Sequence, residues 1–200
     1  MGMNLIQFTE KKREEYLKKD IYNGKKNKFR KLLLKLDLEN EVELFEMYLY
    51  KNEALKGRKT HWQYDKETRF ANTRTKLKTE TRAEIDKLPL EKALSVSWRI
   101  IKELIRRDYH FVVFYAEGGR SPHIILYDFE ELKELDEYKR EIAQREFWKS
   151  IAPFDYHSLD QSIWQSDHYV PLEFAPHWKH GNVFDLCFEW IPKRDKKCKN

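Results

Sequence analysis

Only two cysteines, Cys187 and Cys198, occur in 200 residues, which excludes a disulfide scaffold and a cysteine-ligated zinc knuckle. The expectation is a reducing compartment, the cytoplasm. Glycine and proline are scarce as well, six of each, which with the abundant Lys and Glu fits a thermophile, and no low-complexity linker is found. No apolar run reaches bilayer length and the first residues lack the apolar block of a secretory signal, so neither membrane insertion nor export is expected. The absence of an internal repeat removes solenoids and propellers. Charge of one sign is not in large excess: 39 Lys and Arg against 34 Asp and Glu leave a net charge of +5. That mild bias favours an anionic partner, with nucleotide or nucleic acid first. What the chain does have is 14% aromatic residues, enough to build the core of one large domain or two small lobes.

Residues Thr9 to Lys19 carry the charge pairing of an exposed helix, stopped by Asn23 and Gly24 and followed by the basic run Lys25, Lys26, Lys28, Arg30 and Lys31. Leu32 to Leu38 and Val42 to Tyr50 are apolar enough to be buried, with a period that leaves helix and strand both open. Residues 1–64 are read as a mostly helical section packed on a core at 65–192, with a basic, disordered tail at 193–200. From Ala71 to Asp86 small or apolar residues alternate with charged ones, which predicts a long strand or hairpin with Glu84 and Asp86 on one face. Pro89 suits the first turn of a helix carrying Leu90, Ala93, Leu94, Trp98, Ile101, Leu104 and Ile105 up to Arg107. A second helix is expected from Glu130 to Ser150, then a loop with a short strand containing Asp160, and a last strand from Val183 to Ile191. The six tryptophans are expected chiefly in the core and groove lining, with Trp178 the exception.

The stretch that organises this order is Val112 to Tyr127, VVFYAEGGRSPHIILY. Two short apolar runs of β type flank a loop from Glu117 to His123. Its paired glycines permit close backbone approach to a ligand, and Arg120 offers a planar fork of donors suited to phosphate. A plain hairpin with a polar tip is the alternative. Two acids on one strand face, a third acid further on, and Arg, His and Lys around a glycine loop are the groups a metal-assisted phosphoryl transfer uses.

In this order of parts the chain resembles the archaeo-eukaryotic primase superfamily, the primase small subunits and plasmid primase-polymerases. That family has an acid-x-acid strand, a helix, an SGxRGxH loop, a strand with a third acid, and an RLPxSxHxKTG segment. Glu84 and Asp86, then Glu117 to His123, then Asp160, and finally His177, Lys179 and Gly181 fall on those positions over roughly Arg82 to Ile191. The resemblance implies an α+β core with an RRM-like mixed or antiparallel sheet flanked by helices. It implies Glu84, Asp86 and Asp160 as catalytic and metal-holding acids for Mg²⁺ or Mn²⁺. It implies Arg120, Ser121, His123, His177 and Lys179 as the cradle of a nucleoside triphosphate. The activity implied is template-dependent nucleotidyl transfer on single-stranded DNA, as a primase or primase-polymerase, with other replication proteins as further partners. Arg74, Lys76, Lys78 and Arg82 would then track the template backbone.

Glu117, Ser121, Pro171 and His180 stand where the family has Ser, Gly, Arg and Thr. Two other classes therefore stay open: a primase-fold protein that binds nucleic acid or a replication partner without catalysis, and a metal-dependent nuclease. Asp37 with Glu39 and Asp65 with Glu67 are substitute acid pairs. Asp160 could instead cap a helix or turn. His157, His168, His177 and His180 leave room for a zinc or manganese site.

Overall fold

The computed structural model describes residues 44–52, 57–63, 73–119, 121–173 and 184–192. The expected helix at 9–19, the basic run at 25–31 and the segment 32–38 lie outside the described residues, as does the tail at 193–200. The chain is of mixed α+β class, with antiparallel sheets and, among the described residues, two α-helices, and it divides into two compact units.

The first unit comprises Met1–Thr75, Ala116–Gly118 and Tyr169–Asp185. Its four-stranded sheet has the order β2-β1-β3-β7, formed by β1 (Leu44–Asn52), β2 (Gly57–Gln63), β3 (Thr73–Arg74) and β7 (Val170–Pro171). β1 runs antiparallel to β2, with Glu46 opposite Gln63 and Asn52 opposite Gly57. The described part of the run Val42 to Tyr50, from Leu44 on, is strand, and what is described of the section expected to be helical is a β-hairpin. Pro171, which cannot donate a ladder hydrogen bond, sits in the outermost strand of this order, where that loss is tolerated. Arg74 is fully buried and forks Glu173, Nε to Oε2 at 2.8 Å and Nη2 to Oε1 at 2.5 Å, while its Nη1 donates to the Thr75 carbonyl.

The second unit comprises Lys76–Tyr115, Gly119–His168 and Leu186–Asn200. β4 (Thr81–Ala83), β5 (Phe111–Tyr115), β6 (His123–Leu126) and β8 (Asp185–Trp190) form a sheet of order β4-β6-β5-β8. Because β6 is antiparallel to both β4 and β5, those two are parallel to each other, joined through helix α1 (Leu90–Arg106). This is a split β-α-β unit, the part an RRM-like sheet requires. The last strand, β8, lies beside β5, whereas an RRM-like sheet places its last strand beside its first.

The run Ala71 to Asp86 is not one long strand. β3 and β4 belong to different sheets, and a turn closed by Glu80 N–H on the Leu77 carbonyl separates them. Charged residues of the alternation go inward: Arg82 and Glu80 are buried, with Glu80 Oε1 accepting from Arg82 Nε at 2.8 Å and Oε2 accepting from the Leu77 amide. A buried guanidinium is tolerable only with such a partner.

α1 buries Ala93, Val96, Ser97, Ile100, Ile101 and Leu104 at helical spacing. Pro89 is its N-cap rather than its first turn. At the other end Asp108 takes φ 59°, while Tyr109 N–H returns to the Leu104 carbonyl and Asp108 N–H to that of Ile105. That is a Schellman stop with Asp in the left-handed position usually given to glycine. The expected helix at 130–150 is divided: a 3-10 turn at Glu130–Leu132 precedes α2 (Glu137–Ile151). The break falls where the Asp136 carboxylate captures the Lys139 amide at 2.8 Å and starts the helix afresh. Of the less polar stripe expected here, Leu132, Leu135, Tyr138, Ile142, Phe147 and Trp148, the structure buries Leu132, Phe147 and Trp148 and exposes Tyr138 and Ile142, while Gln144 and Ile151 pack as well.

Candidate functional site

Three elements of the second unit hold the end of β4 in place. From α2 the buried Trp148 indole donates to Thr81 Oγ1 at 2.7 Å. From the 3-10 segment Gln161–Trp164, the buried Trp164 indole donates to the Arg82 carbonyl at 2.9 Å. From the turn after β6, Phe129 N–H reaches the Thr79 carbonyl, and Thr79 Oγ1 returns to the Tyr127 carbonyl at 2.6 Å. Two indoles and a hydroxyl, all buried, therefore fix the strand that leads into the acids, which stand just past its end and not on it as expected.

Past Ala83 the chain stays alternating. Glu84 and Asp86 are half-buried on either side of Ile85, which is fully buried. Ile85 N–H donates to Ser121 Oγ at 3.0 Å, and Asp160 N–H donates to the Glu84 carbonyl at 2.8 Å. The Glu84 carboxylate lies against His123 Nδ1, an ion pair when the imidazole is protonated. Burial pushes the Glu84 carboxyl up, but the charge and hydrogen bond of His123, with Arg82 and His168 behind them, outweigh it and hold the group below its ordinary value. Residues that the sequence spaces from 84 to 160 are thus brought to one place. Glu84, Ser121, His123 and Asp160 converge, with Asp86 one step along the same backbone.

Two further residues join them that sequence spacing did not select together. Burial depresses the His168 imidazole; Glu84 and Asp160 raise it, while Lys76 and Arg82 add to the lowering. Burial also lowers the Lys76 ammonium to about 8, against the attraction of Glu80. Lys76 Nζ donates to the carbonyls of Ile163 at 2.6 Å and Gln165 at 2.5 Å, so it fastens the 3-10 segment that Asp160 begins. Nothing in the local pattern at Lys76 signalled this, because its acceptors are backbone carbonyls almost ninety positions away.

Several expectations need correction. His123 opens β6 rather than ending a loop. Asp160 is not in a strand; it caps the 3-10 segment, its Oδ1 accepting from Ser162 N–H at 3.0 Å and Ser162 Oγ at 2.7 Å. Arg74 and Arg82 are fully buried and Lys76 is bound to carbonyls, so of the four cations expected to track a template only Lys78 is exposed. Trp148 and Trp164 are core, as expected, but Trp98 is 55% exposed. Glu117, the unusual carboxylate of the loop, is exposed. Arg120, His177 and Lys179 lie outside the described residues, as do Trp178, His180 and the substitute pairs Asp37 with Glu39 and Asp65 with Glu67.

Carboxylates are the donors Mg²⁺ and Mn²⁺ take, yet the arrangement does not assemble them for a metal. Glu84 is engaged by His123 and Asp160 Oδ1 by its cap. Among the described residues no group of three or more His, Cys, Asp or Glu is placed to hold an ion. Among the same residues no helix is long and apolar enough to cross a membrane. Comparison with family models, with curated proteins and with solved structures finds no match.

Proposed function

We propose that the second unit carries a nucleotide-phosphate site and that the protein is a template-dependent nucleotidyltransferase of the primase or primase-polymerase kind, using nucleoside triphosphates on single-stranded DNA. The observation that supports this reading is the convergence of Glu84, Ser121, His123 and Asp160 through direct contacts. In the reaction a 3′-oxygen bonds to the α-phosphorus and pyrophosphate leaves. The Glu84 carboxylate is suited to accept the hydroxyl proton, and the His123 imidazole to donate to a phosphate oxygen once the two part. Ser121 fixes the backbone between the two acids. Arg120 keeps the phosphate-binding role the resemblance gives it. Mg²⁺ or Mn²⁺ would supply charge neutralisation of the triphosphate, and no role above depends on where an ion sits.

A second reading, nucleic-acid binding without catalysis, is favoured by one observation: Glu84 is tied to His123, with no three-donor group around it among the described residues. Labelled-nucleotide incorporation on primed and unprimed single-stranded templates, with Mg²⁺ or Mn²⁺, separates the readings. The expected result is extension that requires the divalent ion. DNA binding without extension would replace the proposal by the second reading, and template cleavage would replace it by a nuclease.

A further inference from the structure

With Arg74, Lys76 and Arg82 turned inward, a template needs another surface, and the outward face of α1 supplies one. We infer that Trp98 and Phe154, with the cations beside them, form a stacking platform for single-stranded DNA; this rests on the reading of the protein as template-directed.

Phe154 is 97% exposed and Trp98 is 55% exposed. Each is one residue from the same ion pair, in which Arg99 forks Asp155 with Nε to Oδ2 at 2.8 Å and Nη2 to Oδ1 at 2.7 Å. That pair joins the turn after α2 to α1, so the two rings flank one contact. Leu90 and Leu94, 42% and 45% exposed, continue the stripe at four-residue intervals toward the start of the helix. Aromatic rings left in water at this level gain when another flat apolar surface covers them.

Charge decides what that surface belongs to. The sequence of α1 carries Lys92, Arg99, Lys102 and Arg106 against two acids, Glu91 and Glu103, and Arg99 is taken by Asp155. Glu103 is taken by Arg106 and Arg107. Lys92 and Lys102 are exposed and form no ion pair among the described residues. Lys102 Nζ lies over the Trp98 ring, 5.4 Å from its centroid, placing a cation against one face of that ring. Rings beside unpaired ammonium groups suit a polymer with flat bases and a phosphate backbone, and such stacking is indifferent to sequence because every base has a π-face. An acidic protein helix would match the lysines and the Leu90–Leu94 stripe but gives no reason for an almost fully exposed Phe154.

The test compares a fluorescent thymidine oligomer with an abasic oligomer of equal length, by anisotropy at fixed salt. The intact protein should bind the thymidine oligomer more tightly. W98A and F154A should each weaken that binding about tenfold while leaving abasic binding unchanged. K102Q should weaken both oligomers alike and flatten the salt dependence. Since both rings are exposed, melting temperatures should not move. Equal binding of the two oligomers by the intact protein, or unchanged binding in both ring variants, overturns the platform. So does a change of sedimentation in W98A without a change in DNA binding, which would mark a contact between copies instead. Nucleotide incorporation by the same proteins keeps the two inferences apart. Ring-dependent binding without incorporation preserves the platform and removes the nucleotidyltransferase, whereas incorporation indifferent to both rings does the reverse.

Discussion

Replacing Glu80 by alanine should destabilise the protein by about 3–5 kcal/mol, the cost of stripping a buried charge of its partner. Arg82 is fully buried, and Glu80 receives both its Nε–H and its Nη2–H, while the second Glu80 oxygen takes the Leu77 amide. Truncation leaves the guanidinium without those acceptors in a place water does not reach. Against a typical stability of about 5–15 kcal/mol this is a large fraction. Urea unfolding at neutral pH measures it. The double variant Glu80→Leu with Arg82→Met should recover most of the loss, because two apolar side chains need no partner. A loss below about 1 kcal/mol in Glu80→Ala would mean that water or another acceptor serves Arg82. The consequence also reaches the site: Arg82 stands two residues before Glu84, so the pair is part of what holds the acid in place.

Asp160 carries the second large effect, and here two substitutions say more than one. Its backbone amide holds the Glu84 carbonyl whatever the side chain is. Its carboxylate caps the 3-10 segment through Ser162. Asparagine keeps the capping oxygen and removes the charge; alanine removes both, costing about 1 kcal/mol of stability. If Asp160 works on the triphosphate, Asp160→Asn and Asp160→Ala should both lose about 100-fold or more in incorporation, the scale of one transition-state contact, while only the alanine variant melts earlier. A merely structural Asp160 would give an active asparagine variant. Steady-state incorporation with parallel thermal unfolding distinguishes these outcomes.

Much of the frame was legible because it rests on local pattern. Two short apolar runs around a glycine loop gave the β5–β6 hairpin, paired Val112 to Ile125 and Phe114 to His123. The apolar spacing after Pro89 gave α1, though not its face. The core side is made partly by small residues, Ala93 and Ser97, which a count of large apolar residues overlooks, so Leu94 and Trp98 were placed inside when they are outside. The alternation from Ala71 to Asp86 misled for a different reason. A charged residue reads as solvent-facing unless its partner is known, and the partner of Arg74 is Glu173, 99 positions away. Asp160 illustrates the limit for sites. Motif order pointed to Asp160 as an acid on a strand, whereas the capping role given as the alternative, already written in Asp160-Gln161-Ser162, is the one the structure shows.

The central claim is that a nucleoside triphosphate binds where Glu84, His123 and Asp160 meet. Proton–carbon NMR of the seven histidine imidazoles during titration with a nucleoside triphosphate tests this directly, with an internal control. His110 precedes β5 and His123 opens β6 opposite Phe114, so the two lie roughly 13 Å apart along the hairpin. His110 is held between Asp128 at 3.0 Å and Glu189 at 3.4 Å. The account predicts that the His123 signal moves saturably with nucleotide, that His168 follows it, and that His110 stays still. A titration that moves His110 and leaves His123 unchanged, or moves neither, would contradict it.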